Sequence, residues 1–154
     1  MGRVANRVGD SEYTLSDGKK VKLDVNCGDL DHLHGGLIGW HRKIWSVKSL
    51  KENEVVFTYT SSDGDDKYPG EVHASVMYRL EVDKKDSTLV NLRIEFKAEL
   101  PEGETQSTPI NMTNHSYFNL GGHGNNKGVL NHTMEVNADF YTPYDERSIP
   151  FKTV

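Results

Sequence analysis

Two long runs alternate apolar and polar residues with a period of two, and this pattern constrains the fold more than anything else in the chain. Val72, Ala74, Val76, Tyr78, Leu80 and Val82 mark one side of the first run. In the second, Val90, Leu92, Ile94, Phe96, Ala98 and Leu100 alternate with Asn91, Arg93, Glu95, Lys97 and Glu99. A period of two puts one side of an extended strand on a core and the other in water, whereas a helix would scatter these residues around its axis. Val21, Leu23 and Val25 repeat the pattern over a shorter stretch. Turn-forming clusters separate the runs: Asp17-Gly18, Ser62 to Asp66, Tyr68-Pro69-Gly70, Asp83 to Asp86 and Pro101 to Gly103. No convincing helical period occurs. The expected fold is all-β, a large antiparallel β-sandwich, with residues 1–154 as a single domain.

The chain has 154 residues and a formal net charge of −5, with both signs interspersed. That balance gives no basic footprint for nucleic acid or an anionic membrane surface. No apolar run approaches the roughly 20 residues of a membrane span, and the N-terminus has no apolar signal region. One cysteine, Cys27, excludes an internal disulfide framework and fits a reducing compartment, so a cytoplasmic location is the expectation. Between Asn26 and Gly28, Cys27 reads as a turn residue rather than a nucleophile. Gly121 to Gly128 is rich in glycine but fits neither dinucleotide nor P-loop spacing and has no helical pattern behind it, so it reads as a hairpin loop.

The chemistry concentrates in Thr108-Pro109-Ile110-Asn111-Met112-Thr113-Asn114-His115-Ser116-Tyr117-Phe118-Asn119-Leu120. Here one histidine stands among amides, hydroxyls and aromatic rings, in a segment that otherwise reads as a strand. Such a mixture suits a sugar. Amides and hydroxyls meet its hydroxyl groups, an aromatic ring meets its C–H face, and an imidazole moves a proton near neutral pH. On a strand, Tyr117 shares the face of His115.

Three further motifs join this one: Gly2-Arg3-Val4-Ala5-Asn6-Arg7, Leu33-His34-Gly35-Gly36 and the Tyr68-Pro69-Gly70 turn. Their order and spacing resemble those of the galactose mutarotase (aldose 1-epimerase) family, over nearly the whole chain from Gly2 to about Pro150. The resemblance implies a β-sandwich enzyme that interconverts the α and β anomers of a free hexose, galactose or glucose, without a metal, nucleotide or redox cofactor. It assigns His115 as general acid and His34 as a second histidine bonding the sugar near its ring oxygen. Asn6 and Arg7 bind ring hydroxyls, and Tyr117 borders the pocket.

The same resemblance places the general base, a glutamate, and a sugar-binding aspartate C-terminal to the matched span, and further strands on both sides of it. The chain is therefore expected to be a central part of the fold, truncated at both ends. Lys67 stands where the family has a glycine before Tyr-Pro-Gly, and Phe151-Lys152 follow Ile149-Pro150 where it has Thr-Gly. A non-catalytic carbohydrate-binding remnant is the alternative. A third reading gathers His32, His34 and His41 around a metal ion. Phosphorylated hexoses are disfavoured, because no Arg/Lys cluster accompanies the motifs. Trp40 and Trp45 read as core residues, and Asp145-Glu146 as part of a structural turn.

Overall fold

The two alternating runs form one inner strand and the neighbouring edge strand of a four-stranded antiparallel sheet. In the computed structural model, which describes residues 1–151, this sheet is ordered β5-β6-β7-β8. Its strands are Ser46–Lys51 (β5), Glu54–Ser61 (β6), Val72–Val82 (β7) and Val90–Glu99 (β8). Before it come four short strands in two antiparallel pairs. Arg7–Val8 (β1) pairs with His32–Leu33 (β4), and Glu12–Thr14 (β2) pairs with Lys20–Lys22 (β3). Among the described residues there is no α-helix, only short 3₁₀ turns such as Trp40–Arg42 and Asp65–Lys67. None of these is long and apolar enough to cross a membrane.

Register explains why the apolar residues share a side. Tyr59, Ala74 and Ala98 lie in one row across β6, β7 and β8, and Phe57, Val76 and Phe96 in the next. Where β7 begins, this face is closed by Trp40, which is 2% exposed, together with Trp45, Tyr59 and Met112 around Val72 and Ala74. The two indoles meet edge to face with ring centroids 6.0 Å apart, and the Trp45 indole N–H donates to the Trp40 carbonyl at 2.9 Å. Trp40 is a core residue, and Trp45 packs half-buried against it.

Further along, the expectation of a buried apolar side fails. Leu80 and Leu92 face each other across β7 and β8 and remain 52% and 59% exposed, and Val82 and Val90 beside them are equally open. Alternation encodes which side of a strand is apolar. It does not encode whether a covering layer is present.

A second core joins Val21, Leu23 and the fully buried Tyr68, with Val4, Val8, Tyr13 and Leu15 around them. It rests the β2–β3 hairpin against the Tyr68-Pro69-Gly70 turn. The Tyr13 and Tyr68 rings stack at 6.3 Å, and burial pushes the Tyr13 hydroxyl up to about 12.

Residues Met1–Thr113 make one compact unit, and the chain from Asn114 onward makes another. Among its described residues the second unit is irregular chain and short turns, with an isolated bridge between Tyr144 and Pro150. That bridge closes the Asp145-Glu146 turn, where Asp145 Oδ1 accepts from the Ile149 N–H at 2.8 Å. The expected strand through His115 does not form. Asn114 Oδ1 accepts from the Ser116 N–H at 2.9 Å, and Asn119 Oδ1 accepts from the Gly121 N–H at 3.1 Å. Asparagine side chains that capture amides two residues ahead compete with a sheet ladder and bend the chain into turns.

Candidate functional site

The first motif is anchored by its arginine. Arg3 is 1% exposed. Its Nη1 donates to the Pro69 carbonyl at 2.8 Å, the Gly70 carbonyl at 2.9 Å and Thr108 Oγ1 at 2.9 Å. Its Nη2 donates to Ser61 Oγ at 2.8 Å and to the Ser61 and Ser62 carbonyls at 3.3 and 3.1 Å. Ser61 Oγ in turn accepts from the Trp40 indole N–H at 3.2 Å and donates to Asp65 Oδ2 at 2.8 Å. Burial opposes the charge on Asp65, but donors from Lys43, Ser61 and Tyr59 together hold its carboxyl below the usual range. The flexible Arg3 stem thus ends in a fixed network binding the N-terminus, the end of β6, the Tyr-Pro-Gly turn and the Thr108 segment.

Beyond Arg3 the chain runs beside Asn111. The Ala5 N–H donates to the Asn111 carbonyl at 2.7 Å, and the Asn111 N–H donates to the Arg3 carbonyl at 2.9 Å. It then turns at Asn6 (φ 61°) into β1. Pairing of β1 with β4 sets Arg7 opposite Leu33, so His34 comes to Asn6. The His34 N–H donates to the Asn6 carbonyl at 3.0 Å, and the Asn6 N–H donates to His34 Nδ1 at 3.1 Å. Arg7 Nη1 donates to Asn6 Oδ1 at 3.3 Å. Asn6, Arg7 and His34 therefore form one cluster.

The loop after His34 is shaped by residues that sequence reasoning missed. Asn26 Nδ2 donates to the Leu33 and Gly36 carbonyls at 3.0 and 2.7 Å, while its Oδ1 accepts from the Leu33 N–H at 2.6 Å. Asp66 accepts from the Ile38 and Gly39 N–H groups at 3.2 and 3.1 Å. Gly35 lies against the Gly2 carbonyl, where a side chain has no room. Asn26 and Asp66 belong to no pattern that marks a loop scaffold; only the fold brings them there.

His32 does not serve the metal reading. It is fully buried, and both ring nitrogens are engaged. Nδ1 donates to the Asp24 carbonyl at 2.7 Å, and Nε2 accepts from the Tyr68 hydroxyl at 2.8 Å. No group of three metal-ligating side chains occurs among the described residues.

Burial lowers the His32 pKa below its ordinary value. The unfolded chain then takes up a proton at a higher pH than the folded chain does. Stability is retained above the unfolded value and lost as pH falls from about 6.5 toward the folded value, at up to about 1.4 kcal/mol per pH unit. Urea unfolding at a series of pH values is expected to show this loss in the wild-type chain and a flatter profile in His32→Gln. An unchanged slope in the variant contradicts the assignment.

His115 and Tyr117 lie in the second unit, both exposed, with ring centroids 5.1 Å apart and planes inclined by 30°. They neighbour each other through a turn rather than along a strand face. A cavity of 230 Å³ opens on the polar side of the four-stranded sheet, among Lys48, Thr58, His73, Ser75 and Lys97. It is lined by none of the residues named from the motifs.

The comparisons with known proteins agree with the motifs. The family model for aldose 1-epimerase matches residues 1–154. Galactose mutarotase of Bos taurus is 41% identical over 150 residues, which is 97% of this chain and 40% of that protein. Aldose 1-epimerase of Escherichia coli is 39% identical over 97% of this chain and 39% of its own length. Among solved structures, an aldose epimerase homologue from C. elegans superposes with a TM-score of 0.55 at 32% identity, covering 65% of this chain and 28% of that one. The chain belongs to the aldose 1-epimerase family, and its antiparallel β architecture is of the galactose mutarotase type. It spans about 40% of the length of the relatives it matches.

Proposed function

We propose that this chain carries part of the sugar site of an aldose 1-epimerase acting on free hexoses, galactose or glucose, with residues 1–154 contributing to one cytoplasmic β-sandwich domain. The observation that carries the reading is the Asn6–Arg7–His34 cluster, which gathers residues from two distant motifs through reciprocal hydrogen bonds. Anomer exchange needs a base to remove the C1 hydroxyl proton and an acid to protonate the ring oxygen as the C1–O5 bond breaks. Rotation about C1–C2 and reclosure, with the proton returned, give the other anomer. His115 is the acid in this scheme and recovers its proton on closure. Arg7 offers its planar donors to ring hydroxyls, His34 bonds near the ring oxygen, and Tyr117 borders the sugar.

The resemblance assigns the base to a glutamate C-terminal to the matched motifs. Loss of a positioned base removes on the order of 10²–10⁴ in rate. A second reading, sugar binding without turnover, rests on that residue. Polarimetry of freshly dissolved α-galactose separates the two. The catalytic reading expects mutarotation faster than buffer with the wild-type chain and at the buffer rate with His115→Ala. A folded wild-type chain no faster than buffer leaves the binding reading.

A further inference from the structure

We propose that Asn6 is the positioning residue that fixes the tautomer of His34, so that His34 meets its ligand as a hydrogen-bond donor through Nε2. A backbone N–H can only donate. The Asn6 N–H points at His34 Nδ1 from 3.1 Å, so Nδ1 is the acceptor and the neutral ring carries its proton on Nε2. The return bond from the His34 N–H to the Asn6 carbonyl, at 3.0 Å, closes a small ring of contacts that sets the orientation as well as the protonation.

Both residues adopt left-handed backbone, φ 61° at Asn6 and 52° at His34. This conformation strains a residue with a β-carbon, and asparagine and glycine tolerate it best. The left-handed turn is what brings the Asn6 amide round to the imidazole. Its side chain has a separate task, accepting from Arg7 Nη1.

His32, two residues away on β4, supplies an internal contrast. Its Nδ1 donates to the Asp24 carbonyl and its Nε2 accepts from Tyr68, so it is held in the opposite tautomer. The ligand chemistry follows. An Nε2–H donor is complementary to an oxygen lone pair, such as a sugar ring oxygen, and is unsuited to removing a hydroxyl proton. In the scheme above, that leaves His34 to orient and polarise the ring oxygen while the proton comes from elsewhere. This role rests on the sugar-site reading; the tautomer itself does not.

Long-range ¹H–¹⁵N correlation spectra of the imidazoles, recorded without sugar at mildly alkaline pH, test the assignment. In the wild-type chain His34 is expected to show a protonated Nε2 and an imine-type Nδ1, with His32 reversed. Asn6→Gly keeps the left-handed turn and the amide, and is expected to keep the His34 pattern. Asn6→Val disfavours the turn and is expected to yield mixed tautomers at His34, with His32 unchanged as the sign of an intact fold. A wild-type His34 that is mixed or protonated on Nδ1 overturns the proposal, even if the valine variant fails to fold. So does loss of the pattern in Asn6→Gly, or its full retention in folded Asn6→Val. Galactose added to the same sample reports separately on the sugar site. A locked tautomer that ignores sugar counts against the proposed function and leaves this assignment standing.

Discussion

Arg3→Met is expected to destabilise the Met1–Thr113 unit by about 3–5 kcal/mol, the range for removing one partner from a buried, hydrogen-bonded charge network. Methionine approximates the volume of the stem and supplies no donor. The carbonyls of Ser61, Ser62, Pro69 and Gly70, and the hydroxyls of Ser61 and Thr108, all lose a charged donor. Each buried acceptor left unpaired costs about 1–3 kcal/mol, so the loss is a large share of an ordinary domain's 5–15 kcal/mol. Arg3→Lys keeps the charge but replaces the planar fork with a point donor, and is expected to recover only part of the loss. Urea unfolding followed by tryptophan fluorescence reads the network directly, since Trp40 donates to Ser61. A change below about 1 kcal/mol in Arg3→Met, the scale of an ordinary surface ion pair, would show that this guanidinium does not anchor the motif.

Gly35→Ala is the second large effect, and Gly18 serves as its control. Both glycines have φ 86°. At Gly18 nothing lies within 4 Å of an added β-carbon, so alanine meets only left-handed strain, about 1–2 kcal/mol. At Gly35 the same carbon overlaps the Gly2 carbonyl oxygen and lies 2.7 Å from the Arg3 nitrogen. These are backbone atoms held by the Arg3 network, so they cannot swing aside. Overpacking adds typically 1–3 kcal/mol or more to the strain, and the N-terminal motif must move away from the His34 loop. Thermal unfolding is expected to show a much larger loss for Gly35→Ala than for Gly18→Ala. Equal losses would mean that the loop and the first motif do not approach as closely as described.

The parts of the fold legible beforehand were those with local causes. Period two gave β7 and β8 almost to the residue, and the Asp17-Gly18 turn followed from its own chemistry. The two-residue strands β1 and β4 carry no period, yet their pairing decides which site residues meet. Nothing local in the sequence marks Arg3 for burial, because what buries it lies 58 to 105 residues away. The strand expected through His115 gave way to asparagine-captured turns, since side-chain amides took backbone donors a ladder would need. Of the candidate residues, Asn6, Arg7 and His34 meet in one cluster, and His115 meets Tyr117 within the second unit.

Saturation-transfer NMR with galactose is the most direct test of the sugar site, because it detects weak binding and does not depend on turnover. Transfer to the ring protons of galactose is expected from the folded wild-type chain, and its loss in both His34→Ala and Arg7→Ala. Absence of transfer from folded wild-type protein, or transfer that survives both substitutions, would contradict the proposed site.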